Sequence, residues 1–149
     1  CDGFDRIQPA LKGEQLARAI NMALGDAKAN IDEIDYISLD GLALDAWDRS
    51  EIDGIKQVFG QRAKEIPASC PKSMFGNLLG ASGVLDLIVT ILSMENNLIA
   101  PTINLDEPEP GGLDYVMKEA RGHNIGKALI ISRGRGGINS VLVVERGEK

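Results

Sequence analysis

Asp35-Tyr36-Ile37-Ser38-Leu39-Asp40-Gly41-Leu42, with Pro71-Lys72-Ser73-Met74-Phe75-Gly76-Asn77-Leu78-Leu79-Gly80 further along, anchors the chain's architecture. Ile34 to Leu39 reads as a short strand entered from an acidic turn and left through Asp40-Gly41, a common turn pair. On its N-terminal side, Leu16, Ala19, Ile20, Ala23 and Leu24 recur at three- and four-residue spacing between Gly13 and Ala29, which predicts a helix with one buried stripe. On its C-terminal side, Asp48 to Phe59 predicts a second amphipathic helix, with Ile52, Ile55, Val58 and Phe59 inward and Gly60 as a stop. Leu78 to Met94 is apolar all round and predicts a buried helix beneath a sheet. Leu129 to Ser132 and Ser140 to Glu145 read as a closing strand pair across a glycine-rich turn. Ala100 to Pro110 is extended, because each proline restricts its predecessor to open geometry. Strands alternating with helices give one domain over residues 1–149, α/β or α+β.

Composition bounds the function without choosing it. The 149 residues are 44% hydrophobic and 26% charged, ordinary for one domain with a real core. A net charge of −6 argues against a nucleic-acid binder using a basic face and against a polybasic membrane anchor. Cys1 to Ala10 is polar and broken by Gly3 and Pro9, unlike a signal peptide, and no apolar run is expected to reach the roughly 18 to 20 residues that cross a bilayer. The expected location is the cytoplasm, with the distant cysteines Cys1 and Cys70 reduced and unsuited to a metal site.

The quoted stretches, together with Asp48-Arg49-Ser50-Glu51, Pro101-Thr102-Ile103-Asn104-Leu105, Leu113-Asp114-Tyr115-Val116 and Gly134-Arg135-Gly136-Gly137, resemble the C-terminal half of the β-ketoacyl synthases. The resemblance covers nearly the whole chain, from Cys1-Asp2-Gly3 to Val144. It implies an α/β mixed sheet with flanking helices, the C-terminal half of a thiolase-like fold. The half that carries the nucleophilic cysteine is outside this sequence. Active members carry His-Gly-Thr and Lys-Ser-x-x-Gly-His at the two motifs. Here Asp40 and Asn77 occupy the histidine places, and Lys72 is retained.

Those substitutions bear directly on the chemistry. Decarboxylative condensation needs two neutral imidazoles to polarise the extender thioester and steady the enolate, each worth on the order of a hundredfold or more. An ionised Asp40 only accepts hydrogen bonds and would repel an enolate, and Asn77 cannot move a proton near pH 7. The aspartate at that place, with Arg133-Gly134-Arg135, resembles the chain length factor, the β subunit of the type II polyketide ketosynthase pair. No catalytic residue is then expected. The partners implied are an active ketosynthase α subunit, the chain's own N-terminal half and an acyl carrier protein, with no cofactor or metal. The other class of function is a divergent β-ketoacyl synthase whose missing half supplies the catalytic groups.

Individual residues have plainer readings beside these. Asp40 could be a turn residue alone. Lys72 could be a relic or a structural ion pair, and the structural role is the better reading because a buried lysine needs an anion. The resemblance pairs it with the Asp48-to-Glu51 stretch and closes the network with Asp86, where the family usually has glutamate. Arg135 stands where active synthases have the aromatic gate to the acyl pocket, and the resemblance makes Arg133 and Arg135 a pocket gate; a phosphate-cradling glycine loop is the weaker alternative, since no helix N-terminus follows. His123 lies in a polar loop outside both motifs, and Cys70 reads as a small buried hydrophobe.

Overall fold

The structure is a computed structural model that describes residues 10–108 and 112–147. The readings placed on residues 1–9, and on Glu109 and Pro110, lie outside them. Seven strands and four helices appear among the described residues: α1 Glu14–Ala27, β1 Tyr36–Ser38, α2 Asp45–Phe59, β2 Pro67–Ser69, α3 Lys72–Phe75, α4 Ser82–Asn96, β3 Leu98–Ile99, β4 Asp114–Tyr115, β5 Arg121–Gly122, β6 Lys127–Gly134 and β7 Ile138–Glu145. Five strands form one sheet in the order β4-β2-β1-β6-β7. The first four run parallel, with Ile37 beside Ala68 and Leu129, and β7 closes the edge antiparallel to β6 from Lys127↔Glu145 to Gly134↔Ile138. The separate β3–β5 pair is antiparallel.

Alternation along the central strands sends side chains to two cores. Ile37, Leu129 and Ile131 point to one face, where Leu16, Ile20 and Leu24 of α1 and Ile52, Ile55 and Phe59 of α2 cover them. Tyr36 and Ala128 point to the other face, with Met94 of α4. The layers are therefore α1 and α2, then the sheet, then α4. The two helices of the first layer cross very closely at Gly13 and Gly54. Gly13 has φ 70°, and a Cβ there would sit 2.3 Å from the Ser50 carbonyl oxygen and 2.4 Å from the Gly54 nitrogen, so only glycine fits.

The expected elements are present with shifted ends. α2 starts at Asp45, three residues before the expected Asp48, and stops at Gly60, which takes φ 57°. The closing strands are eight residues each, longer than their apolar stretches, because full antiparallel pairing carries Lys127, Arg133 and Gly134 into the ladder. β2 and β4 have little apolar signature of their own. Parallel pairing to a buried neighbour makes them strands.

One expectation is corrected. Leu78 to Met94 is not buried all round: residues 79–81 form a 3-10 turn, α4 begins at Ser82, and its inward residues are Ser82, Asp86, Thr90, Ser93 and Met94. Val84, Ile88, Ile91 and Leu92 are exposed. The helix is inverted, with a mostly polar stripe against the sheet and an apolar one outward. A mean over the window hides this, because periodicity gives a stripe without saying which way it faces. Leu79–Asn96 is also long and apolar enough to cross a membrane by length and composition, contrary to expectation. Here the buried Asp86 and Thr90 put its polar stripe against β6 and Lys72.

Candidate functional site

The parallel strands β1, β2 and β6 all end on one side of the sheet, and the motif residues follow those ends. Such C-terminal edges are where open α/β sheets gather their functional groups. β1 leads to Asp40 and Gly41, β2 to Cys70 and Lys72, and β6 to Arg133. Lys72, 4% exposed, puts its ammonium 2.9 Å from Asp40 Oδ1 and 3.3 Å from Asp86 Oδ2. Burial works against the Lys72 charge, but Asp40 and Asp86 outweigh it and hold its pKa above the ordinary lysine value. Burial pushes the Asp86 carboxyl up. Asp40 Oδ2 and Asp86 Oδ1 have no hydrogen-bond partner among the described residues, and Asp86 Oδ2 meets the Lys72 ammonium at 3.3 Å, so one ammonium serves two buried carboxyl groups.

This corrects the pairing taken from the resemblance. The carboxyl groups within 4 Å of Lys72 among the described residues are Asp40 and Asp86, while the Asp48-to-Glu51 stretch binds backbone. Glu51 accepts the Asp40 N–H at 2.7 Å and the Gly41 N–H at 3.0 Å, and Asp48 accepts the Leu42 N–H at 2.9 Å. The reason is directional. Both acids sit on α2 facing the loop, whereas Asp86 rises from the inner stripe of α4 toward the lysine. Burial first, then the Asp40 charge, pushes Glu51 up to about 7, against its two amide bonds and the field of Arg133. Asp48 is pushed up as well, mainly by burial.

Asn77, at the second histidine place, is exposed and occupied locally. Its side-chain oxygen accepts the Leu79 N–H and the Ser82 hydroxyl, both at 2.8 Å, and ties off the entry to α4. Cys70 is buried, with a thiol pushed up to about 12 by burial first; Sγ lies 3.6 Å and 3.5 Å from the Asp40 and Gly41 carbonyl oxygens. Such a thiol is a packing group rather than a nucleophile. It also fixes Gly41, since a Cβ there would meet Sγ at 2.6 Å.

Arg133 reaches back over α2: it donates to the Trp47 carbonyl at 2.9 Å, to Ser50 Oγ at 3.3 Å and to Asn139 Oδ1 at 3.1 Å, and stacks 4.9 Å from the Trp47 ring centre. Arg135 is exposed in the β6–β7 turn. Neither lines the open cleft of about 770 Å³ beside the motif, whose walls include Leu42, Glu51, Cys70, Lys72, Asn77 and Ile103. His123 stands outside that cleft, just after β5, with its backbone N–H on the Asn97 carbonyl.

Sequence reasoning missed the groups that pin the extended stretch to the site. Thr102 Oγ1 accepts the Cys70 N–H at 2.8 Å, and Ser73 Oγ accepts the Ile103 N–H at 3.0 Å. Hydroxyls in a proline-punctuated run were the available signal. Trp47 and Ser50, the anchors of Arg133, carried no such signal. Among the described residues no three His, Cys, Asp or Glu side chains converge as a metal-ligand set. What the arrangement gathers at this edge is four carboxyl groups, Asp40, Asp48, Glu51 and Asp86, with the Lys72 ammonium between two of them and no imidazole at either motif place.

Residues 1–106 match the model of the β-ketoacyl synthase C-terminal domain. The chain is 37% identical over 131 residues, 87% of its length, to the tetracenomycin polyketide synthase ketoacyl synthase beta subunit of Streptomyces glaucescens. It is 37% identical over 148 residues, 99% of its length, to the 3-oxoacyl-[acyl-carrier-protein] synthase 2 of Staphylococcus aureus strain COL. A solved type II polyketide synthase acyl-carrier protein in complex with its ketosynthase, bound to the hexaketide, superposes with a TM-score of 0.95 at 33% identity, covering 99% of this chain. This chain spans about a third of each of these proteins: 32%, 36% and 36% of their lengths.

Proposed function

This chain belongs to the β-ketoacyl synthase family, and from that premise we propose that it is part of a non-catalytic, chain-length-factor type of subunit. In this reading it works in the cytoplasm with its own N-terminal half, pairs with an active ketosynthase, and shapes the tunnel in which a poly-β-keto chain grows on an acyl carrier protein. The observation that carries it is the Asp40–Lys72 ion pair at 2.9 Å. A carboxylate locked to the retained lysine stands where condensation needs a hydrogen-bond donor, and it opposes the negative charge that develops on an enolate. Asn77 turns its oxygen to the Leu79 N–H and the Ser82 hydroxyl, and its amide group, though able to donate, cannot move a proton near pH 7. The likeness to a ketoacyl synthase beta subunit supports this choice.

A second reading, a divergent β-ketoacyl-acyl-carrier-protein synthase, is favoured by the equal identity to the Staphylococcus aureus enzyme over 99% of the chain. The test is reconstitution of the full natural polypeptide with malonyl-loaded carrier protein, alone and with a ketosynthase encoded nearby. The expected result is no carbon–carbon bond formation alone, and a one-to-one complex whose product length depends on this subunit. Condensation by the purified protein alone, or a ketosynthase that makes full-length product without it, replaces the first reading by the second.

A further inference from the structure

β7 is an outer edge of the main sheet, and it lacks the features that normally keep an edge from pairing. It runs eight residues, Ile138–Glu145, contains no proline and carries no charge before Glu145. Among the described residues it pairs on its inner side with β6, and no strand lies on its outer side. α1 packs along the same edge. Between them runs an open groove of about 310 Å³, walled by Arg18, Met22 and Asp26 of α1 and by Asn139, Ser140 and Val141 of β7. Arg18, Met22 and Asp26 are all exposed.

These three side chains are spaced symmetrically: Arg18 lies four residues before Met22, and Asp26 four after it. A second α1 running antiparallel, related by a two-fold axis beside Met22, therefore sets Arg18 of each copy against Asp26 of the other, with the two methionines meeting at the axis. The same axis, normal to the sheet, lays two β7 strands antiparallel, which is how a strand adds to an open edge. It also brings Glu145, paired within its own copy to Lys127 at 3.1 Å, toward the exposed Arg135 turn of the second copy. We propose that the α1–β7 edge is a docking surface for a second copy of this chain, so that two five-stranded sheets become one continuous sheet with both α1 helices side by side on one face. Charge complementarity picks out this occupant, because a strand from an unrelated protein has no reason to answer a cation and an anion in this order. The surface lies apart from the cleft at the strand ends. It is independent of whether the subunit is catalytic and leaves a one-to-one ratio with a ketosynthase unchanged.

The test is analytical ultracentrifugation of the natural polypeptide that carries this chain, without any ketosynthase, from about 1 to 100 μM. A reversible doubling of mass is expected, with hydrogen exchange of the β7 amides slowing as concentration rises. Arg18→Glu makes both cross-axis pairs repulsive and should raise the dissociation constant about tenfold. Met22→Lys, which sets two ammonium groups at the axis, should raise it by about as much, and Arg18→Glu with Asp26→Lys should bring it back to within about threefold of wild type. Association through the outer stripe of α4, on the opposite face of the sheet, is untouched by these variants and responds to Ile88→Ser instead. A single-chain mass at every concentration overturns the proposal, as do β7 amides that exchange slowly whatever the concentration. So does a doubled mass that Arg18→Glu and Met22→Lys leave unchanged, or a charge swap that binds no tighter than Arg18→Glu alone.

Discussion

α2 and α4 are each fifteen residues long, lie on opposite faces of one sheet, and are built in opposite senses. α2 turns Ile52, Ile55 and Phe59 to the sheet, while α4 turns Ser82, Asp86, Thr90 and Ser93 inward and Val84, Ile88, Ile91 and Leu92 outward. The difference separates two jobs. The α1–α2 face stabilises the fold through apolar burial, whereas the α4 face supplies one buried counterion to the site and leaves an apolar surface outside. A helix apolar on its outer side suits a chain that spans about a third of its relatives.

The comparison breaks most readily at Lys72. Lys72→Met leaves Asp40 and Asp86 buried without a cation, and the expected loss is about 3–5 kcal/mol by urea denaturation. A loss below about 1 kcal/mol would show that the α4 side of the site is not held by charge. On the apolar side, Ile55→Ala, at a fully buried position, is expected to cost about 2–5 kcal/mol. Ile88→Ala on the outer stripe of α4 should change the stability of the same chain by no more than about 0.5 kcal/mol. Equal losses at the two positions would erase the distinction between the helices.

A pH series sharpens the same contrast. The folded pKa of Glu51 is raised from 4.5 to about 7, so the folded state binds the proton more tightly than the unfolded chain between those values. Its contribution is therefore fully present below about pH 4.5 and lost as pH rises through about 7. The expected difference between wild type and Glu51→Gln changes by on the order of 3 kcal/mol across that window, at about 1.4 kcal/mol per unit. Parallel stability curves for the two proteins would remove Glu51 from the charge cluster. The smallest effect concerns the outer face alone. The 149-residue chain should self-associate at low micromolar concentration, and Ile88→Ser with Leu92→Ser should shift it toward monomer in light scattering without altering its circular dichroism. A wild-type chain that is monomeric and binds no dye for apolar surface would contradict the exposed stripe.

Legible in the sequence were α1, β1, α2 and the closing pair β6–β7 in their order, the apolar stripes of α1 and α2, the stop at Gly60 and the motif places of Asp40, Lys72 and Asn77, because spacing and turn chemistry are local properties. It also carried the family, since several motifs fell in order along the chain. The direction in which α4 faces came from packing, because a helical period is the same whichever stripe is buried. The same holds for the partners of Lys72: Asp40, Lys72 and Asp86 are far apart in sequence, and the ends of β1 and β2 and the inner stripe of α4 must be stacked before their charges meet. Pro67–Ser69 and Asp114–Tyr115 became strands for a like reason, their hydrogen bonds being supplied by neighbours rather than by any local preference.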